Sequence, residues 1–337
     1  MKKSEGLSRD STWIDWSLRI RSGDRMALAK AITLVESQKP ADREQAQALL
    51  QELGPPDKPS LRIAITGPPG AGKSTLIEAL GMEMIKAGHS LAVLSIDPSS
   101  ALTKGSILGD KTRMMRLSLE EKAYIRPSPT GEHLGGVGQR TRESIRLCEV
   151  AGYDYILVET AGIGQSEYQV STMTDLTILL ALPGSGDDLQ GIKKGIMEWA
   201  DLIVLHKADD VQDPKIIHSY KDLIAACHFM EERPSGWQRK ILKVSSLKHK
   251  GLDELLEAIM DYQSHATTNH FLAENRRQQL KAHYQDLLRL RLWEYIMGQE
   301  AIRQHVAETE QQIIDLALTP EKAADITQSF IFAVLNK

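Results

Sequence analysis

Cysteine is scarce in this chain of 337 residues: Cys148 and Cys227 are the only two. Two thiols are too few for a disulfide framework or a thiolate metal site, so each is expected as an ordinary core or surface residue. An excess of one charge sign is missing as well. Lys and Arg number 41 against 45 Asp and Glu, for a formal net charge of −4. That balance gives no reason to expect nucleic acid or an anionic membrane as the main partner. No apolar run approaches the ~20 residues that cross a bilayer. The opening segment, Met1-Lys-Lys-Ser-Glu-Gly-Leu-Ser-Arg-Asp, has no apolar stretch behind its lysines and does not read as a secretory signal. The ten histidines are scattered, with only His265 and His270 close, so no metal-ligand cluster stands out. With 42% apolar and 26% charged residues, an ordinary soluble globular protein is expected, at home in the cytoplasm or a matrix-like compartment.

The most informative segment is Gly67-Pro68-Pro69-Gly70-Ala71-Gly72-Lys73-Ser74, followed by Thr75. It stands between a short apolar run, Leu61–Thr66, and a stretch with helical spacing (Leu76, Ile77, Ala79, Leu80). Strand, glycine turn and helix together form a phosphate-binding loop. Glycines let the backbone approach a ligand, and their N–H groups and the helix N-terminus point at phosphates. Lys73 is expected to reach the β- and γ-phosphates, and the Ser74 hydroxyl to ligate Mg²⁺. The chain therefore reads as a nucleoside triphosphate binder.

Around that loop, strands and helices alternate from Leu61 to about Ser264, which predicts an α/β fold: a mostly parallel sheet with helices on both faces. The spacing predicts strands at Leu61–Thr66, Leu91–Ile96, Tyr124–Arg126, Tyr153–Glu159, Leu176–Leu182, Leu202–His206 and Ile241–Val244. Helices are expected at Ser74–Ala87, Gln139–Ala151, Gly191–Ala200, Pro214–Met230 and Leu252–Gln263. Before the sheet, Met26, Leu28, Ala29, Ile32, Leu34 and Val35 recur at helical spacing, and Gly54-Pro55-Pro56 ends that region. After His265 the pattern is helical to the end. The expected division is a helical extension over 1–58, a phosphate-loop α/β domain over 59–265 and a helical region over 266–337. In the last region Leu280, Tyr284, Leu287, Leu288, Arg291, Leu292 and Tyr295 mark a one-sided stripe. It must bury against its own domain or against a second subunit.

The base is read elsewhere. His206-Lys207-Ala208-Asp209 follows the apolar strand and ends in the Lys-x-Asp of guanine-reading loops, which usually begin with Asn. An aspartate there accepts from N1–H and the exocyclic amine of guanine; adenine offers neither donor and would leave the carboxylate unpartnered. Lys207 would cover the base face. Histidine in place of asparagine at 206 is expected to weaken the link between base and phosphate loop. Ser245-Ser246-Leu247 follows the last strand, where a backbone contact to the guanine oxygen is made. For Mg²⁺ and the attacking water, three acids qualify. Asp97 and Glu159 end strands, where open α/β sheets bind ligands. Asp110 lies in a glycine-bearing loop. In Thr160-Ala161-Gly162, the Gly162 N–H is placed to sense a γ-phosphate.

The ordered set resembles one family. It comprises the phosphate loop, Asp97-Pro-Ser-Ser100, Gly105-Ser-Ile-Leu-Gly-Asp-Lys-Thr-Arg-Met114, Leu134-Gly-Gly136, Glu159-Thr160 with Gly162-Ile-Gly-Gln-Ser166, and Leu182-Pro-Gly-Ser-Gly-Asp-Asp-Leu-Gln-Gly-Ile-Lys-Lys-Gly195. This chain looks like the MeaB/ArgK group of SIMIBI-class P-loop GTPases, which includes the methylmalonic aciduria type A protein. The resemblance implies a homodimeric GTPase chaperone of adenosylcobalamin-dependent methylmalonyl-CoA mutase that gates cofactor loading and protects or rescues the mutase, with GTP/GDP and Mg²⁺ as cofactors. It assigns Lys73, Asp97, Asp110 and Glu159 to the catalytic machinery and Ser74, Asp97, Asp110 and Glu159 to Mg²⁺. Asp97–Met114 and Glu159–Glu167 become the two switches, and Pro183–Lys194 a third, partner-responsive loop. Two alternatives stand beside it: a nucleotide-dependent kinase linked to amino-acid transport, and a metal-insertion GTPase.

Overall fold

The computed structural model describes residues 9–97, 114–129, 136–160, 166–184 and 194–336. Three helices come first, α1 (Arg9–Arg21), α2 (Arg25–Glu36) and α3 (Pro40–Leu53). Strands and helices then alternate: β1 (Leu61–Thr66), α4 (Lys73–Lys86), β2 (Leu91–Asp97), α5 (Met115–Ser118), β3 (Ala123–Pro129), α6 (Gly136–Val150), β4 (Tyr155–Thr160), α7 (Ser166–Ser171), β5 (Leu176–Ala181), α8 (Lys194–Trp199), β6 (Leu202–His206), α9 (Pro214–His228), β7 (Lys240–Val244) and α10 (Leu252–Thr268). The chain ends in α11 (Phe271–Met297), α12 (Glu300–Ile314) and α13 (Pro320–Leu335).

All seven expected strands are present, each within two residues of its expected start and three of its expected end. They form one parallel sheet in the order β3-β2-β4-β1-β5-β6-β7. The short α5 and α7 escaped the sequence pattern because four to six residues carry too few apolar positions to show a period. Strands β4, β5 and β6 are buried along their whole length, and their alternate residues serve opposite faces. In β1, Leu61, Ile63 and Ile65 pack with Leu76 and Leu80 of α4 and Ile259 and Tyr262 of α10. Ala64 faces the other way, into a cluster with Leu28 and Ile32 of α2, Leu49 of α3 and Leu147 of α6. Helices α2 and α3 therefore supply part of one helical layer of the sheet.

At the amino edge of the sheet, buried charges are neutralised in pairs. The Arg62 guanidinium donates to both Glu149 oxygens at 2.8 Å. Asp175, whose side chain is fully buried, accepts from Arg62 N at 2.9 Å and from Arg276 Nε and NH2 at 2.9 and 2.6 Å. Arg276 also donates to the Ser60 carbonyl. This arginine lies at the end of the first compact unit, which runs to Arg276; a second unit starts at Arg277. Within the second unit α12 packs on α13, where His305 stacks on Phe330 with ring centroids 4.1 Å apart.

Removing one partner of a buried pair leaves the other charge uncompensated. Arg276→Ala is expected to cost about 3–5 kcal/mol of unfolding free energy, measured by denaturant titration. A loss under about 1 kcal/mol would mean that Asp175 finds its partners elsewhere.

Candidate functional site

The carboxyl ends of seven parallel strands share one edge, and the sequence-predicted residues gather there. β1 ends at Thr66 and turns at Gly67 into the loop that starts α4. Gly67 has a φ of +148° and lies so near β5 that an added Cβ would stand 2.8 Å from the Leu180 carbonyl. Gly72 opens α4 in the left-handed region, with a φ of +89°, and no side chain caps this helix end. Its first-turn N–H groups are thus left for a ligand, which is what an anion site requires. Pro69, Gly70 and Thr75 face solvent, while Ala71 is buried and Pro68 half-buried. Lys73 is 7% exposed and folds back across the loop, donating to the Gly67 and Pro68 carbonyls at 2.8 and 3.2 Å.

Ser74 begins the metal side of the site. Its hydroxyl donates to Glu159 Oε1 at 2.7 Å, and Ser95 Oγ lies 3.3 Å from Glu159 Oε2. Register explains the meeting: Ser95 of β2 pairs directly with Glu159 of β4, and β4 is the neighbour of β1. Asp97 closes β2 on the same edge. Asp110 and Gly162 lie outside the described residues, as does most of both expected switches and of the 183–194 loop.

The base side is built at the ends of β6 and β7. His206 is the last residue of β6 and is 3% exposed. Its Nδ1 is 2.6 Å from the Ala71 carbonyl, and its Nε2 is 2.8 Å from Ser246 Oγ. The link that histidine was expected to weaken is therefore present, with a longer side chain spanning it. Burial is the main reason the ring's pKa lies below the ordinary histidine value. The Ala71 carbonyl opposes that, Lys207 adds to it and Asp209 opposes it. The ring is neutral at physiological pH.

Lys207 is exposed and takes a φ of +59°, unusual for a residue with a Cβ. The kink lets the chain turn from β6 toward Asp209, and Ala208 N is held by the Val244 carbonyl at 3.1 Å. Ser245 Oγ donates to Asp209 Oδ1, and Lys250 Nζ reaches the Asp209 carbonyl at 3.4 Å. Ser245 and Ser246 are buried, whereas Leu247 is 75% exposed. The arrangement joins a phosphate cradle to a carboxylate fixed by a serine, with His206 between them. Sequence reasoning passed over Ser95 and the side-chain roles of Ser245 and Ser246, because a lone serine near a strand end carries no pattern of its own. Among the described residues no cluster of three or more His, Cys, Asp or Glu side chains could hold a metal ion by itself.

Two substitutions test the cradle. Lys73→Ala is expected to abolish tight GTP binding, and unchanged affinity in calorimetry would remove this loop from the site. Gly72→Ala adds about 1–3 kcal/mol of backbone strain at its φ and a Cβ 2.8 Å from the His206 ring, so GTP affinity is expected to fall at least about tenfold while the protein stays folded.

The sequence pattern of the family described as methylmalonyl-CoA mutase-associated GTPase MeaB matches residues 28–301. A probable GTPase of Mycobacterium tuberculosis is 45% identical over 319 residues, covering 94% of this chain and 95% of that protein. The GTPase ArgK of Escherichia coli K12 is 45% identical over 273 residues, covering 81% and 82%. The mitochondrial methylmalonic aciduria type A homolog of Mus musculus is 41% identical over 335 residues, covering 96% and 81%. Among solved structures, one described as a LAO/AO transport system kinase superposes with a TM-score of 0.77 at 34% identity, over 97% of this chain and 99% of that one. A match of this extent, on a P-loop fold with the phosphate loop at its expected place, makes the chain a GTPase and a member of the MeaB family of methylmalonyl-CoA mutase-associated GTPases.

Proposed function

We propose that this GTPase is a homodimeric chaperone of an adenosylcobalamin-dependent methylmalonyl-CoA mutase, coupling GTP binding and hydrolysis to cofactor loading and to protection or reactivation of the mutase. The observation that carries the reading is the join of phosphate loop and guanine-side loop through His206, in a chain whose family is described by its association with that mutase. The named mouse relative points the same way.

In this reading Gly67–Thr75 hold the phosphates by backbone N–H groups. Lys73 exchanges the Gly67 and Pro68 carbonyls for phosphate oxygens, trading neutral acceptors for charged ones. Asp209, oriented by Ser245, accepts from guanine, and Lys207 lies along the base face. The residues fit Mg²⁺: the Ser74 hydroxyl and the Glu159 carboxylate are hard oxygen donors 2.7 Å apart beside the phosphate loop, and Asp97 ends the adjacent strand edge. When bound, the ion neutralises charge on the β- and γ-phosphates. Asp110 and Gly162 would join from the two switches, and the 183–194 loop would respond to docking of the mutase, completing the site for hydrolysis.

The homodimer takes its support from the C-terminal helices. Leu280, Tyr284, Leu288, Leu292 and Tyr295 of α11 recur at three or four residues, and each is between 44% and 69% exposed. A groove of about 550 Å³ lined by Trp293, Ile296, Val306, Ile313, Ile331 and Phe332 lies in the same unit. Apolar faces of this kind mark protein–protein contact, and a second copy is the occupant proposed. The proposed location is the cytoplasm; among the described residues no helix is long and apolar enough to cross a membrane. The second reading, phosphoryl transfer to another molecule, draws on the solved relative described as a kinase.

The deciding experiment is GTP turnover with and without the mutase from the same host, with complex formation followed by gel filtration. Slow turnover that rises on adding a co-eluting mutase is expected. Turnover indifferent to the mutase, with no complex, defeats the chaperone reading. Phosphate appearing on an acceptor in place of inorganic phosphate establishes the kinase. Asp209→Asn is expected to shift preference from guanosine to xanthosine triphosphate, since the amide donates to the xanthine oxygen; undiminished GTP selectivity places the base reader elsewhere. Truncation after Arg276 keeps the ion pairs at the amino edge and is expected to yield monomers by light scattering; a persistent dimer moves the interface to the GTPase unit.

A further inference from the structure

His206 stands where related guanine-reading loops carry asparagine, and its surroundings leave the ring one arrangement. A carbonyl oxygen only accepts, so Nδ1, 2.6 Å from the Ala71 carbonyl, carries the proton. Nε2 then holds a lone pair and accepts from the Ser246 hydroxyl at 2.8 Å. That assignment follows from the partners on the two nitrogens. The ring is also in close packing with the loop it bonds. A Cβ at position 72 would stand 2.8 Å from His206 Cε1 and 2.9 Å from Nδ1, so only a glycine lets the two segments come this close. Three segments thus meet on one imidazole: the phosphate loop through Ala71 and Gly72, the base-reading turn that follows His206 in the chain, and the loop after β7 through Ser246. The Ser245 hydroxyl next to that last contact holds Asp209.

We propose that His206 is a positioning residue through which the guanine-side loops set the geometry of the phosphate loop, and that it does so only in its neutral, Nδ1-protonated form. The proposal rests on the guanine-reading role given above to Asp209. An asparagine amide supplies the same donor and acceptor but has no titrating proton, so histidine adds an acid sensitivity that asparagine lacks. Protonation turns Nε2 from acceptor to donor, facing a hydroxyl that had been donating to it, and places a charge in a buried site. The charged groups acting on the ring are Lys207, which opposes protonation, and Asp209, which favours it; burial outweighs both. The neutral ring is the form competent to bind nucleotide, so affinity is retained down through the ordinary histidine pKa of about 6.5 and declines only as the pH falls through the lower pKa of the buried ring.

The test is the affinity of the full chain for GDP and GTP, by calorimetry in steps from about pH 7.5 down to about pH 4.5, well below the ordinary histidine value so that the series passes the lowered one. The parent protein is compared with His206→Ala, His206→Asn, Ser246→Ala and Lys73→Ala. Alanine at 206 leaves the buried Ala71 carbonyl and Ser246 hydroxyl without their partner and is expected to weaken binding at least about tenfold at the higher pH. Asparagine is expected to restore affinity to within a few-fold and to reduce the drop on acidification. Ser246→Ala is expected to weaken binding several-fold, and it carries the test if the alanine variant at 206 does not fold. Parent-like binding by both His206→Ala and Ser246→Ala overturns the proposal, as does an asparagine variant no better than alanine or as acid-sensitive as the parent. If Lys73→Ala also binds nucleotide normally, the phosphate-loop assignment itself is at fault. If Lys73→Ala alone loses binding, only the role of His206 falls.

Discussion

Every strand of the sheet runs in the same direction, and the handling of nucleotide depends on that constraint. Parallel pairing puts the carboxyl ends of β1, β2, β4, β5, β6 and β7 on one edge. Residues far apart in the chain, such as Ser74 and Glu159 or Ala71 and His206, then come within hydrogen-bond distance. Because the strands are covered on both faces, their apolar side chains are spent on the core, and the polar residues are left to the edge. The site is a by-product of how the sheet is buried.

The two edges use polar burial differently. At the amino edge, Arg62, Glu149, Asp175 and Arg276 neutralise one another and satisfy backbone groups, so their product is a stable framework. At the carboxyl edge the partners are exchangeable. Among the described contacts, Lys73 donates to two carbonyls of its own loop and Glu159 accepts from two serine hydroxyls, neutral partners weaker than a phosphate or a metal ion. A ligand can replace such partners with gain, whereas nothing in solution improves on the Asp175–Arg276 pair. That difference in exchangeability separates a site from a structural cluster with similar residues.

Close backbone approach is the other requirement of the carboxyl edge. Gly67 against Leu180 and Gly72 against His206 leave no room for a Cβ. The phosphate loop is therefore shaped by β5 and β6 as much as by its own sequence. A rigid loop presents its N–H groups without reorganisation, which is how preorganised donors are most effective. His206 takes part in that shaping with both of its nitrogens, so a residue belonging by sequence to the base reader contributes by contact to the phosphate cradle.

Much of this was legible in the order of residues. The phosphate loop declares itself because strand, glycines, lysine and helix must occur in that sequence to bind phosphate. The seven strands declare themselves because fully buried strands are short apolar runs between polar loops. The one-sided apolar stripe of α11 was visible from its spacing alone. What the chain could not reveal were the contacts that depend on strand order. Ser95 beside Glu159, Ser245 on Asp209 and Ser246 on His206 are single serines with no pattern around them, paired only because β2 lies next to β4 and β7 next to β6. The amino-edge cluster escaped notice for the same reason, since Arg62 and Arg276 are more than two hundred residues apart. Local order along the chain determined the elements and the chemistry of the phosphate loop. Only the folded sheet, by choosing which strands are neighbours, decided that an unexpected histidine would complete the site.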